Sequence, residues 1–146
     1  DSKQVVAEEF VLRQALERQD SFTLISGNLT PDIFQNGPRR KLAEAVWRSY
    51  AEGRPPHPEN LVQTLDDETV QLLSRLMLVG EQGPDVSQAL DDCIRIVLLT
   101  KLNEEYEEHR MRADIMLREG DSQYVQELMN AQRILTKISD LTKSQE

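Results

Sequence analysis

Cysteine is nearly absent from this chain of 146 residues, which contains only Cys93. One cysteine excludes an internal disulfide framework and any zinc site built from four cysteines. A chain of this length can bury a sizeable core, so it needs neither disulfides nor a metal to fold. Such cysteine usage is typical of the cytosol, and we therefore expect a cytoplasmic location.

An excess of positive charge is also absent. The chain has 17 Lys and Arg residues against 26 Asp and Glu, which gives a net charge of −9. Binding to nucleic acid phosphates needs clustered Lys and Arg, whereas these residues are scattered here among more numerous acids. We expect no direct binding to nucleic acid, and a partner with a basic surface suits the chain better.

No apolar run is long enough to cross a membrane, and the N-terminus lacks the basic start and apolar core of a signal peptide. We therefore expect no membrane association. The chain begins at Asp1 rather than at a methionine. We expect it to be a fragment of a longer protein.

Sequence motifs that carry catalysis are missing as well. There is no G-x-x-x-x-G-K-[ST] and no G-x-G-x-x-G to hold phosphates. His57 and His109 are far apart, without the Cys-His spacing of a metal site. The Asp-Asp pairs at 66–67 and 91–92 stand at or near predicted helix starts, where carboxylates complement the helix dipole, and we interpret them as caps rather than magnesium ligands. Cys93 lies on an apolar stripe, which favours a packed thiol over a nucleophile. We predict no catalytic residue, metal or cofactor.

The chain does contain apolar residues at helical spacing throughout, and strict alternation with period two is absent. This pattern predicts an all-α protein. Asp20 is placed to cap a short second helix and Asp66 to cap a later one, which the segment from Gly80 to Pro84 ends. We expect these helices to form a bundle over residues 1–104.

A long helix is predicted from about Ser87, because neither proline nor glycine occurs from there to Gly120. Globular helices usually run about 8–20 residues, so one of roughly thirty either crosses a large core or projects from a small one. In so short a chain we expect projection. Gly120 then ends the helix and reverses the chain, which predicts a C-terminal helical hairpin over residues 105–146.

The last helix has apolar residues at alternating spacings of three and four, which is typical of a coiled-coil seam. The predicted seam residues are Leu128, Ala131, Leu135 and Ile138. Two helices cannot hide all of their apolar faces from water by packing together. The residues that this packing is expected to leave over are Met111, Ile115, Tyr124 and Ile134.

A run of charge separates the two halves of the long helix. The stretch from Glu104 to His109 reads EEYEEH. Charge runs on long helices are usually solvated faces, and we adopt that interpretation. An acidic docking site and a bend in the helix are the alternatives.

Three segments resemble the C-terminal helicase-interaction domain of bacterial DnaG-type primases, in pattern and in element order over nearly the whole chain. They read AEEFVLRQAL, KLAEAVWRSYAEGRPPHPENLVQTL and DVSQALDDCIRIVLLTKLNEEYEEHR. The resemblance implies a helical bundle followed by a helical hairpin. It implies that the hairpin docks onto the N-terminal domain of the replicative DnaB-type helicase, while the bundle helps to stimulate that helicase.

The zinc-ribbon cysteines and the D-x-D motif of the primase catalytic parts do not occur in this chain. The resemblance therefore implies a protein-interaction domain that is not itself an enzyme and is monomeric when free. The residues that we predict to contact the helicase are Met111, Ile115, Arg118, Tyr124, Leu128, Leu135 and Ile138.

The N-terminal domain of the replicative helicase is the closest alternative, since that domain resembles this chain in both bundle and hairpin. It would bind primase and form the collar of the helicase ring. An ending at Glu146, directly after the hairpin, favours a primase, and the start DSKQ lacks the proline-histidine stretch usual in the helicase domain. A small enzyme built from scattered carboxylates is a third hypothesis, but no nucleophile, base or metal set accompanies it.

Overall fold

The computed structural model describes residues 2–79 and 86–143, and within these ranges the chain forms α-helices and no strand. The all-α prediction is confirmed. A short 3₁₀ helix at Pro31–Ile33 precedes the third α-helix. The α-helices are α1 Ser2–Glu17, α2 Gln19–Ser26, α3 Pro38–Ala51, α4 Pro58–Leu61, α5 Asp67–Met77, α6 Val86–Arg118 and α7 Tyr124–Lys143.

The two predicted helix caps have different outcomes. Asp66 caps α5 as expected, because its side chain accepts a hydrogen bond from the backbone N–H of Thr69 at 2.9 Å. Asp20 does not cap α2, which begins one residue earlier with Arg18 at the N-cap. The Asp20 carboxylate instead accepts two hydrogen bonds from the Arg18 guanidinium, at 3.1 and 2.9 Å. The predicted stop between Gly80 and Pro84 lies outside the described residues.

Contacts divide the chain into two compact units, one ending at Val97 and the other beginning at Leu98. Helix α6 has 33 residues and contributes to both units. The predicted boundary, after residue 104, lies farther along the same helix. No helix in the described ranges combines the length and the apolar character needed to cross a membrane.

The N-terminal unit has a core built mainly by α1, α3 and α5, with α2 packed on α1. The first turns of α6 add Leu90, Ile94 and Val97 to the buried set. Large side chains that are completely or almost completely buried in this unit include Leu12, Ile25, Leu29, Phe34, Leu42 and Leu73.

Four of the aromatic residues form a cluster that ties α2 and α3 to the chain before α3. Phe22 stacks on Tyr50 with ring centroids 3.9 Å apart, and it meets the edge of Trp47 at 5.0 Å. Phe34 also makes an edge contact with Trp47, with ring centroids 5.8 Å apart. The Tyr50 hydroxyl donates a hydrogen bond of 2.7 Å to the carbonyl of Ala15 at the end of α1, and partial burial raises the Tyr50 pKa. Three helices are thereby fixed together.

Glu8 is a fully buried carboxylate in α1. Its Oε1 accepts hydrogen bonds from the backbone N–H of Gln35 and from Nε of Arg39, both at 3.0 Å. Its Oε2 accepts a third from Gln4 at 2.7 Å. A buried charge is tolerated only when it is paired and hydrogen-bonded, so these three donors are what allow Glu8 to lie there.

Glu8→Ala should lower the free energy of unfolding by about 3–5 kcal/mol, because it leaves the Arg39 guanidinium without its buried partner. The neighbouring Glu9 provides a matched control. Glu9 pairs with the exposed side chain of Arg75 at 2.5 Å, and Glu9→Ala should cost less than about 1 kcal/mol. Urea denaturation of both variants measures the difference, and equal losses would show that Glu8 is not a structural tie.

Candidate protein-interaction surface

The turn between α6 and α7 depends on Gly120, which has a φ of +74°. The backbone N–H of Gly120 donates to the carbonyl of Leu117 at 3.2 Å, and that of Asp121 donates to the carbonyl of Met116 at 2.9 Å. These two bonds form a Schellman motif, in which a left-handed residue ends the helix. The predicted reversal at Gly120 therefore has a local cause in the backbone.

A polar contact joins α6 to α7 two to three helical turns from Gly120. Nδ1 of His109 lies 2.5 Å from Oε2 of Glu127, and both side chains are largely buried. An ionised carboxylate only accepts hydrogen bonds, so with Glu127 ionised the donor is Nδ1–H of His109. Arg112 lies 3.9 Å from the same Glu127 oxygen and 3.6 Å from Glu108. This contact fixes which side of α7 faces α6.

The inward side of α7 has a different register from the predicted seam. Ala131 is buried as expected, and Ile138 is half-buried. Leu128 and Leu135, however, are exposed, while Ile134 is buried rather than left over. The prediction that Ile134 is left over was therefore wrong, and of the four predicted seam residues only Ala131 is fully buried.

The physical reason is the pairing of Glu127 with His109. With Glu127 facing α6, the inward positions continue at Ala131 and Ile134. Leu128 and Leu135 each follow an inward residue by one position, which is about 100° around a helix. In α6 the residue buried within this unit is Ala113, four residues after His109.

Met111 and Ile115 form an exposed apolar strip on α6. Their side chains are 64% and 45% exposed, respectively. Arg118, also exposed, continues the same face, because residues separated by four and then three positions lie one above another on a helix. Solvent therefore reaches much of each side chain in this strip.

Most of the residues predicted to contact a partner thus lie on the outside of the C-terminal unit. Met111, Ile115, Arg118, Leu128 and Leu135 are exposed, whereas Tyr124 and Ile138 are half-buried. Sequence reasoning missed two further exposed apolar residues on α7. These are Val125 and Met129, and their position beside Leu128 in the sequence was the available signal.

Other features of the described residues offer little chemistry. They contain no group of three or more His, Cys, Asp or Glu side chains placed to hold a metal ion. Partial burial, with a smaller effect from Asp92, raises the pKa of the Cys93 thiol, which disfavours the reactive thiolate. A cleft of about 510 Å³ in the N-terminal unit has Arg39 and Arg75 in its lining, and both arginines already pair with carboxylates.

No protein-family model, no curated protein and no solved structure was found to match this chain. The resemblance to primase domains therefore depends on the sequence segments quoted above.

Gly120→Ala should destabilise the hairpin by about 1–2 kcal/mol, because a left-handed backbone is unfavourable for a residue with a Cβ atom. The expected result is amide hydrogen exchange in α7 faster by about fivefold or more. Gly27→Ala is the control, since Gly27 has a right-handed φ of −72° and an added Cβ would make only ordinary contacts, at 3.4 Å or more. Unchanged exchange in Gly120→Ala would contradict the role of the turn.

Proposed function

We propose that this chain is a non-catalytic interaction domain of a bacterial DnaG-type primase and that it binds the replicative DnaB-type helicase. By holding primase at the helicase, it couples primer synthesis to the replication fork in the cytoplasm. The domain itself uses no cofactor and does not bind nucleic acid directly.

The exposed apolar surface of the C-terminal unit is the observation that carries this proposal. Among the described residues, seven of the thirteen large hydrophobic side chains that are exposed belong to this smaller unit. They are Met111, Ile115, Leu117, Val125, Leu128, Met129 and Leu135. A concentration of exposed apolar side chains is typical of a surface that another protein covers.

The mode of binding that best fits this surface is a helix in a groove. Met111 and Ile115 are spaced by one helical turn, so both side chains can enter one apolar groove between helices of the helicase N-terminal domain. Leu128 and Leu135, which are two helical turns apart and both exposed, offer a second pair on α7. The order of three sequence segments that resemble the primase domain supports the choice of this partner.

The double variant Met111→Ala with Ile115→Ala should weaken binding to the helicase of the same bacterium by about tenfold or more. Burying one such side chain contributes roughly 1.5–3 kcal/mol, and each 1.4 kcal/mol is a factor of ten. Fluorescence anisotropy of the labelled domain, titrated with helicase, measures the change. These residues are better probes than Tyr124, whose substitution would also disturb the packing within the hairpin.

Val6→Ala with Leu78→Ala is the matched control, because both side chains are exposed on the N-terminal unit, 65% and 86% respectively. The control should bind helicase with unchanged affinity. Circular dichroism should show the same helical signal for both double variants. If the Met111 and Ile115 variant bound helicase with the affinity of the unaltered domain, the docking role assigned to these two residues would be wrong.

A further inference from the structure

Carboxylates border the apolar strip on α6. Glu107 lies one helical turn before Met111 and Glu104 lies two turns before it, while Asp114 lies one turn after it. All three are exposed, as Met111 and Ile115 are. The strip and its acidic border therefore share one continuous helix face, and Arg118 is a single basic residue on the same face.

The border carboxylates are exposed and hold no close ion pair among the described residues. Within the described part of the chain, Glu104, Glu107 and Asp114 make no ion pair within 4.0 Å, and the nearby Arg112 pairs with Glu108 and Glu127 instead. Arg110 is attracted to Glu107 and Asp114, but its strongest interaction is a hydrogen bond to the Tyr106 hydroxyl, and together these raise its pKa. Negative charge thus remains beside the apolar strip.

A second copy of this chain is a poor occupant of the face. In a parallel pair of α6 helices, Glu104 would face Glu104 of the other copy. In an antiparallel pair that places Met111 against Ile115, Asp114 would approach Asp114 of the other copy near the two-fold axis. The antiparallel pair would also place Arg118 near Glu108 of the other copy, but each copy carries a net charge of −9, and this overall charge opposes self-association.

We propose that the face binds an amphipathic helix of another protein, one whose apolar strip is bordered by Lys or Arg. The apolar contact supplies most of the affinity, and the charges set the orientation and speed the encounter. This inference rests on the proposed function insofar as the helicase is expected to provide that helix. The inference adds to the proposed function that the partner's helix carries positive charge beside its apolar strip.

The test uses two synthetic helical peptides of about 20 residues, each with leucines at spacings of three and four. One has lysines beside the leucines and the other has glutamates in the same places. Titrated with the full chain, the basic peptide should bind and the acidic peptide should bind at least about tenfold more weakly. Raising the salt to about 0.5 M should weaken the basic complex, since salt screens exposed charges.

The variant with Glu104→Gln, Glu107→Gln and Asp114→Asn should bind the basic peptide about fivefold or more weakly, because each exposed ion pair contributes a modest amount. Its control changes the same number of exposed carboxylates on the N-terminal unit and should bind nearly as well as the unaltered chain. The control substitutions are Glu44→Gln, Glu52→Gln and Glu59→Gln.

Several outcomes would overturn the inference. They are no binding of the basic peptide, equal weakening by both triple variants, undiminished binding to the Met111 and Ile115 variant, or dimerisation through this strip in sedimentation equilibrium. One outcome would contradict this inference and leave the proposed function standing. In it, helicase affinity falls in the Met111 and Ile115 variant but is unchanged by salt and by the triple carboxylate variant. Peptide binding as expected, without helicase binding, would instead contradict the proposed function alone.

Discussion

Two paired helices can bury only the sides that they turn toward each other, and this constraint governs the C-terminal unit. Nδ1 of His109 and Oε2 of Glu127 lie 2.5 Å apart, and this contact selects the sides of α6 and α7 that face inward. Ala113 on α6 and Ala131 on α7 are buried, while Met111 is exposed on α6. An exposed apolar strip is thus a consequence of the pairing and of the sequence together.

The N-terminal unit buries its apolar side chains more completely than a pair of helices can. Several helices surround each core side chain there, so residues such as Leu12 and Leu42 are completely buried. The buried carboxylate of Glu8 is matched there by three hydrogen-bond donors. The aromatic cluster around Trp47 and the carboxylate of Glu8 both connect α1 to the chain that leads into α3. A unit of this kind can keep its shape independently of a bound partner.

Local sequence signals predicted the elements well, because their causes are local. Gly120 ends α6 through its own backbone geometry, and Asp66 caps α5 through a side chain three residues from its partner. The register of α7 could not be predicted in this way. A spacing of three and four fits both the Leu128 and Leu135 series and the series through Glu127 and Ile134. The choice between them depends on His109, a polar residue on another helix. For the surface, the spacing identified the exposed strip, but what covers it depends on a second molecule.

Methyl NMR of the labelled domain during titration with helicase tests the central claim most directly. The account predicts that the methyl resonances of Met111 and Ile115 shift or broaden first, because these side chains enter the partner's groove. The resonances of Ile134, buried inside the hairpin, and of Ile25, buried in the N-terminal unit, should change little. Changes confined to the N-terminal unit, or no change at Met111 and Ile115 under saturating helicase, would contradict the account.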